Sequence, residues 1–251
     1  MTGGVTDAGY PPDGTVHVWR IPLSGPPHMV ARLAALLGPE ERQRGARALP
    51  DDRRRFLLAH GAARSVLGGY LGLPPERLRY SHGRWGKPAL DGHPQLCFNL
   101  SHSADLALLA VAARRPVGID VERIRPADRS RSAGRWFPAA EADFVRAAAG
   151  PAQSAARYAR LWTRKEAWVK AAGNRMVNGL RLPVGTGPDA DDGTPLTDPE
   201  GRVPGHWSLY GVPAGEGYAA ALAVAARPSA APVRVEVRQW RTTRAACAAG
   251  C

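Results

Sequence analysis

The run Ala110-Val111-Ala112-Ala113-Arg114, with the strand-like Val117-Gly118-Ile119-Asp120-Val121-Glu122 close behind it, has an echo later in the chain. Ala223-Val224-Ala225-Ala226-Arg227 repeats the pentapeptide 113 residues on, and a second strand-like run at 233–237 follows. The offset is close to half of the 251 residues, which favours two similar α+β halves over one large domain. Ligands often sit where such halves meet, so a cleft between them is the expected site. The expected division is 1–116, 117–228, and a remainder, 229–251, with one more strand and an Ala/Arg-rich tail read as disordered.

Hydrophobic periodicity fills in the halves. Alternation at 16–21 predicts a strand, and 30–37 a short helix. Pro39-Glu40-Glu41 and Pro50-Asp51-Asp52 each open a helix with acids where the helix dipole favours them. The second carries Phe56, Ala59, Ala63, Val66, Leu67 and Tyr70 at helical spacing and stops at Gly72. Strands are expected at 78–81, 96–100, 106–112 and 117–122, then helices at 139–149 and 153–172 with Gly173 as C-cap. The Gly-, Pro- and Asp-rich stretch 183–205 reads as a surface loop, and strands at 206–212, 218–225 and 233–240 complete the pattern. Residues 1–14 are expected to fray.

Hydrophobic residues at 44% and charged residues at 22% exclude a mostly disordered chain. No apolar run reaches the ~18 residues of a membrane helix, and the first residues lack the charged start and apolar core of a secretory signal. Cys97, Cys247 and Cys251 form neither a disulfide framework nor a Cys-x-x-Cys pair, so a reducing, cytoplasmic home is expected. The net charge of +12 favours a polyanionic partner: nucleic acid, a phosphorylated ligand or an acidic protein. The arginines are spread along the chain with no helix-turn-helix or zinc pattern, which argues against nucleic acid. Of 34 cations only Lys87, Lys165 and Lys170 are lysine. Where lysine has drifted to arginine, those left are expected either to mark places that need a compact ammonium or to remain by chance.

Four segments could do chemistry. In Val117-Gly118-Ile119-Asp120-Val121-Glu122, strand alternation sends Ile119 and Val121 to the core and sets Asp120 and Glu122 about 7 Å apart on the other face. Paired carboxylates suit Mg²⁺, although a solvated strand end would also hold two acids. In Trp162-Thr163-Arg164-Lys165-Glu166-Ala167-Trp168-Val169-Lys170, Glu166 and Lys170 share a helix face. An ordinary i,i+4 pair is the simple reading, but Trp162 and Val169 imply partial burial, where both charges need further partners. A third metal ligand from Glu166, with Lys170 on a phosphate, would satisfy them. Lys165 points elsewhere and reads as solvated. Phe98-Asn99-Leu100-Ser101-His102-Ser103 ends a strand in groups that donate to anions, and it lacks the Gly-x-Ser-x-Gly elbow of a hydrolase. Trp85-Gly86-Lys87-Pro88 reads as a turn with a stacking ring. No P-loop or Gly-x-Gly-x-x-Gly fingerprint occurs.

In this order the four segments resemble the 4'-phosphopantetheinyl transferases, in particular the longer Sfp-like group, over residues 16–180. The resemblance implies a pseudo-dimer of two α+β halves binding coenzyme A and Mg²⁺ between them. It implies transfer of the phosphopantetheine arm of coenzyme A to a serine of an apo acyl or peptidyl carrier protein, with release of 3',5'-ADP. Asp120, Glu122 and Glu166 would hold Mg²⁺, and Lys170 would contact the same phosphates. Glu166, directly or through water, would accept the serine proton. Lys87, Pro88 and Ser101 would line the adenine beside Gly86, with Trp85 stacking; His102, Arg55 and Arg44 would meet the 3'-phosphate. Glu41 stands where relatives can carry another cation, so that clamp is expected to differ. Acidic carriers would be drawn by the positive charge, and the longer form usually serves secondary metabolism. A monomer that binds neither nucleic acid nor membrane is expected.

Overall fold

The computed structural model describes residues 9–125, 133–187, 192–196, 198, 200–227 and 231–241. The expected tail with Cys247 and Cys251, and the first eight of the residues expected to fray, lie outside the described residues. The chain first forms β1 (Thr15–Pro22), α1 (Pro27–Ala35), α2 (Pro39–Ala46) and α3 (Pro50–Leu71). A hairpin of β2 (Tyr80–His82) and β3 (Pro88–Leu90) comes next, then β4 (Leu96–Ser103) and β5 (Leu106–Ala113). The chain continues as β6 (Val117–Arg123), α4 (Ala133–Trp136), α5 (Ala139–Arg146), α6 (Pro151–Ala172) and α7 (Met176–Gly179). It ends with β7 (Asp192–Leu196), β8 (Trp207–Gly211), β9 (Tyr218–Ala225) and β10 (Arg234–Gln239). The protein is therefore a mixed α+β fold.

Helices α3 and α6 share one design. Each has 22 residues, starts at a proline whose missing N–H costs nothing in the first turn, and stops at a left-handed glycine, Gly72 or Gly173. Two four-stranded sheets run in the orders β10-β1-β5-β4 and β6-β9-β8-β7. All their pairings are antiparallel except β1 with β10.

The two sheets face each other. Val16, Val18, Leu106, Leu108 and Ala110 pack against Val117, Ile119, Val121, Leu222 and Val224. The opposite face of the first sheet, through Ile21, Ala107, Leu109 and Val111, meets α1 and α3 at Leu33, Leu58, Ala62 and Val66. The opposite face of the second, through Leu209, Ala221 and Ala223, meets α6 at Leu161, Ala167 and Trp168. Four layers result, helix–sheet–sheet–helix. Because β5 is covered on both faces, it reads as an unbroken apolar run with no alternation.

Two expectations change. The stretch expected as loop at 183–205 contains β7, an edge strand on β8 whose register shifts between Asp192 and Thr194. An edge position tolerates Pro195, which cannot donate to a ladder, so turn-like composition concealed a strand. The repeated pentapeptides do close β5 and β9, but the strands after them diverge. β6 joins the second sheet beside β9, whereas β10 returns to the first, parallel to β1.

Candidate active site

The centre of the site forms where α6 lies on β6. Gly118, Asp120 and Glu122 alternate onto the same face of β6, and a side chain at Gly118 would collide with the carbonyl of Ala167 and the backbone of Ala171. The missing Cβ lets helix and strand touch at the backbone, which brings Lys170 to Asp120. Lys170 Nζ donates to Asp120 Oδ1 at 2.6 Å and lies 3.8 Å from Glu166 Oε2. Ser101 Oγ donates to the same Oδ1 at 2.7 Å and accepts from Lys170 Nζ at 3.2 Å. Asp120 is buried, and its Oδ2 has no hydrogen-bond partner among the described residues.

The charges are unevenly compensated. Burial, reinforced by Asp120 and Glu122, raises the pKa of Glu166 against the pull of Lys170. Burial also opposes the Lys170 charge, but Asp120, Glu166 and Glu122 together outweigh it and hold that ammonium above its ordinary pKa. Asp120 and Glu166 thus both lie against one ammonium, and the charge of Glu122 reaches it through space. Among the described residues no three His, Cys, Asp or Glu side chains are assembled as a metal cluster. Two of the acids expected to share an ion, Asp120 and Glu166, lie against Lys170. A divalent cation nevertheless fits the donor set: hard oxygens, surplus negative charge and an orphaned buried Oδ2.

All three lysines are engaged by oxygen. Lys87 Nζ donates to the carbonyls of Val117 at 2.9 Å and Ala171 at 2.6 Å. Lys165, expected in solvent, is fully buried. It pairs with Glu141 at 2.6 Å, donates to the Leu182 carbonyl and lies over the Phe137 ring. The expectation failed because Glu141, which neutralises it, comes from α5 and has no sequence link to it.

Strand β4 divides its motif between two faces. Asn99, Ser101 and Ser103 reach β6: Ile119 N–H donates to Asn99 Oδ1 at 2.8 Å and Arg123 N–H to Ser103 Oγ at 3.1 Å. Asn99 was not anticipated, although its position two residues before Ser101 puts it on the same face. His102 points the other way, with its surface exposed. Its surroundings nonetheless lower its pKa, first through desolvation, then through the charges of His60, Lys170 and Arg55 against Asp52. Arg55 is paired with Asp105 at 3.4 Å and Asp52 at 3.5 Å.

On the His102 side of β4 a cavity of about 280 Å³ opens between α2, α3 and the hairpin. Arg44, His60, Arg64, Tyr80, Gly86 and Pro88 are among its lining. Arg44 stands over Phe56, with 5.6 Å to the ring centroid. Glu41 accepts from Gly38 N–H at 2.9 Å and Arg64 Nε at 2.6 Å, and meets His60 at 3.3 Å. It therefore ties α2 to α3. Trp85 is exposed at the hairpin tip, with the guanidiniums of Arg84 and Arg175 at 4.8 and 5.1 Å over its ring.

Residues 116–223, which include β6 and α6, match the model of the 4'-phosphopantetheinyl transferase superfamily. The 4'-phosphopantetheinyl transferase HetI of Nostoc sp. is 37% identical over 215 residues, 84% of this chain and 87% of that protein. The 4'-phosphopantetheinyl transferase Sfp of Bacillus subtilis is 31% identical over 154 residues, 61% of this chain and 66% of the relative. AcpT of Salmonella typhimurium, of the same enzyme name, is 39% identical over 112 residues, 45% of this chain and 57% of that protein. The chain belongs to the 4'-phosphopantetheinyl transferase family.

Proposed function

We propose that the protein transfers the 4'-phosphopantetheine arm of coenzyme A to a serine hydroxyl of an apo acyl or peptidyl carrier protein and releases 3',5'-ADP. The observation that supports this best is Lys170 held between Asp120 and Glu166, with Asp120 Oδ2 left unpartnered. The adenosine end of coenzyme A takes the cavity beside Arg44, Gly86 and Pro88, with Trp85 available to stack. Its 3'-phosphate meets Arg44, Arg55 and His102, and the pyrophosphate crosses β4 near Ser101 to reach Lys170. Two α+β halves related as a pseudo-dimer, with the ligand between them, describe this arrangement. The matching lengths and ends of α3 and α6 support that reading.

Asp120, Glu122 and Glu166 would hold Mg²⁺, which when bound neutralises charge on the pyrophosphate. The chain's own groups do the rest. Lys170 compensates the charge that grows on the departing diphosphate. Glu166, whose affinity for a proton is raised by burial and its acidic neighbours, takes the serine proton directly or through water. The serine oxygen then bonds to the β-phosphorus as the bond to the bridging oxygen breaks, and that oxygen leaves on 3',5'-ADP. The net charge of +12 suits acidic carriers. Among the described residues no helix is long and apolar enough to cross a membrane. A cytoplasmic monomer serving secondary metabolism completes the proposal.

Incubating apo carrier domains with coenzyme A, Mg²⁺ and the protein should add the mass of one phosphopantetheine arm, read by intact-protein mass spectrometry. No mass change on carriers of the fatty acid, polyketide and nonribosomal peptide types would overturn the reading.

A further inference from the structure

We propose that Lys87 is a positioning residue: its ammonium fixes the β2–β3 hairpin to the end of α6, holding the nucleotide cavity at a set distance from Glu166 and Lys170. The proposal rests on the transferase reading above and adds a role for a side chain that faces away from the cavity. Its backbone neighbours Gly86 and Pro88 line that cavity, yet the Lys87 ammonium donates to Val117 and Ala171.

Each of those acceptors needs a donor. Ala171 lies in the last turn of α6, where carbonyls have no partner within the helix and the dipole favours a cation. Val117 opens β6, whose side toward β4 is served by side chains: Asn99 at Ile119 and Ser103 at Arg123. Lys87 adds a third such contact at the end nearest the hairpin. Its stem runs along the Gly173 cap, where a Cβ built on the glycine would lie 3.4 Å from Lys87 Cδ. Arg175, just beyond that cap, adds a second tie through its stacking over Trp85.

The hairpin needs such ties. Its strands are three residues each, and a two-stranded ribbon that short has little stability of its own. A guanidinium is planar and wider than an ammonium and is not expected to reproduce both donations, and this is one of three lysines in an arginine-rich chain.

The test compares wild type, Lys87→Met and Lys87→Arg. Losing the tie should lower kcat about 10–100-fold, the scale of an ångström-sized misplacement of reacting groups. The affinity for 3',5'-ADP, read by calorimetry, should change less than about twofold. Amide exchange at Gly83 and Gly86 should quicken in both variants. Lys87→Arg keeps the charge and serves if Lys87→Met does not fold. If 3',5'-ADP affinity falls in step with kcat/KM, Lys87 contacts the ligand directly and the proposal fails. It also fails if hairpin exchange is unchanged. A wild-type protein that modifies no carrier would sink the transferase reading alone, because the exchange measurement would still decide the tie.

Discussion

Replacing Glu141 with Gln probes the least expected feature of the core. Lys165 is wholly shielded from solvent and Glu141 is 3% exposed, with 2.6 Å between Nζ and Oε2. Burial lowers the lysine pKa, while the Glu141 charge and its hydrogen bond oppose that shift. Glutamine keeps the shape and can still accept from Val184 N–H, which donates to Glu141 Oε1 at 2.7 Å. The charge is lost, so an ammonium stays buried without its counterion. Breaking a buried pair from one side costs about 3–5 kcal/mol. The Leu182 carbonyl and the Phe137 face remain and offset part of it, so about 2–4 kcal/mol is expected. That is a large share of a typical ~5–15 kcal/mol stability. Removing both charges as Glu141→Gln/Lys165→Met should recover most of the loss, with a coupling of about 2 kcal/mol or more. Urea unfolding followed by tryptophan fluorescence and circular dichroism reads the cycle, provided m stays constant. A Glu141→Gln loss below about 1 kcal/mol, with no recovery in the double variant, would refute the reasoning.

Three further outcomes are expected. Lys170→Arg should fold normally and lose at least about tenfold in kcat, because a planar guanidinium cannot take an ammonium's place between Asp120 and Glu166; wild-type turnover would refute this. Gly118→Ala should cost about 1–3 kcal/mol and depress activity, since the new methyl pushes α6 off β6; an unaltered urea midpoint would contradict the close approach. The Lys87 pKa falls from 10.5 to about 8, mainly through burial, so between those values the unfolded chain binds more protons and stability rises with pH. That contribution is complete above the unfolded value and disappears as pH falls through about 8. It amounts to at most about 3 kcal/mol, and Lys87→Met should flatten the urea midpoint against pH over this window.

Local patterns in the sequence foretold the elements with strong local signals. Proline with acids at the start and glycine at the end bracketed α3, and alternation located β6 with its core and acidic faces. The weak places have physical causes. β7 lies at an edge, where few side chains are buried and composition resembles a turn. Lys165 looked solvated because its neutralising partner is 24 residues away on another helix. Asn99 carried no anion signal, whereas Ser101 and Ser103 looked like anion contacts, since short polar side chains on a strand suit an anion or a neighbouring strand equally well. Only the crossing of β4 and β6 separates those uses. The retained lysines were the most informative signal. Each ammonium sits among carbonyl or carboxylate oxygens.

Calorimetric titration of Mg²⁺ into the protein with coenzyme A present tests the acidic centre most directly, in wild type and Asp120→Ala. One ion should bind per wild-type chain, and binding should be lost in the variant together with arm transfer to a carrier. Equal Mg²⁺ affinity in both proteins, or full transfer by Asp120→Ala, would contradict the assignment of Asp120, Glu122 and Glu166 as the ion's ligands.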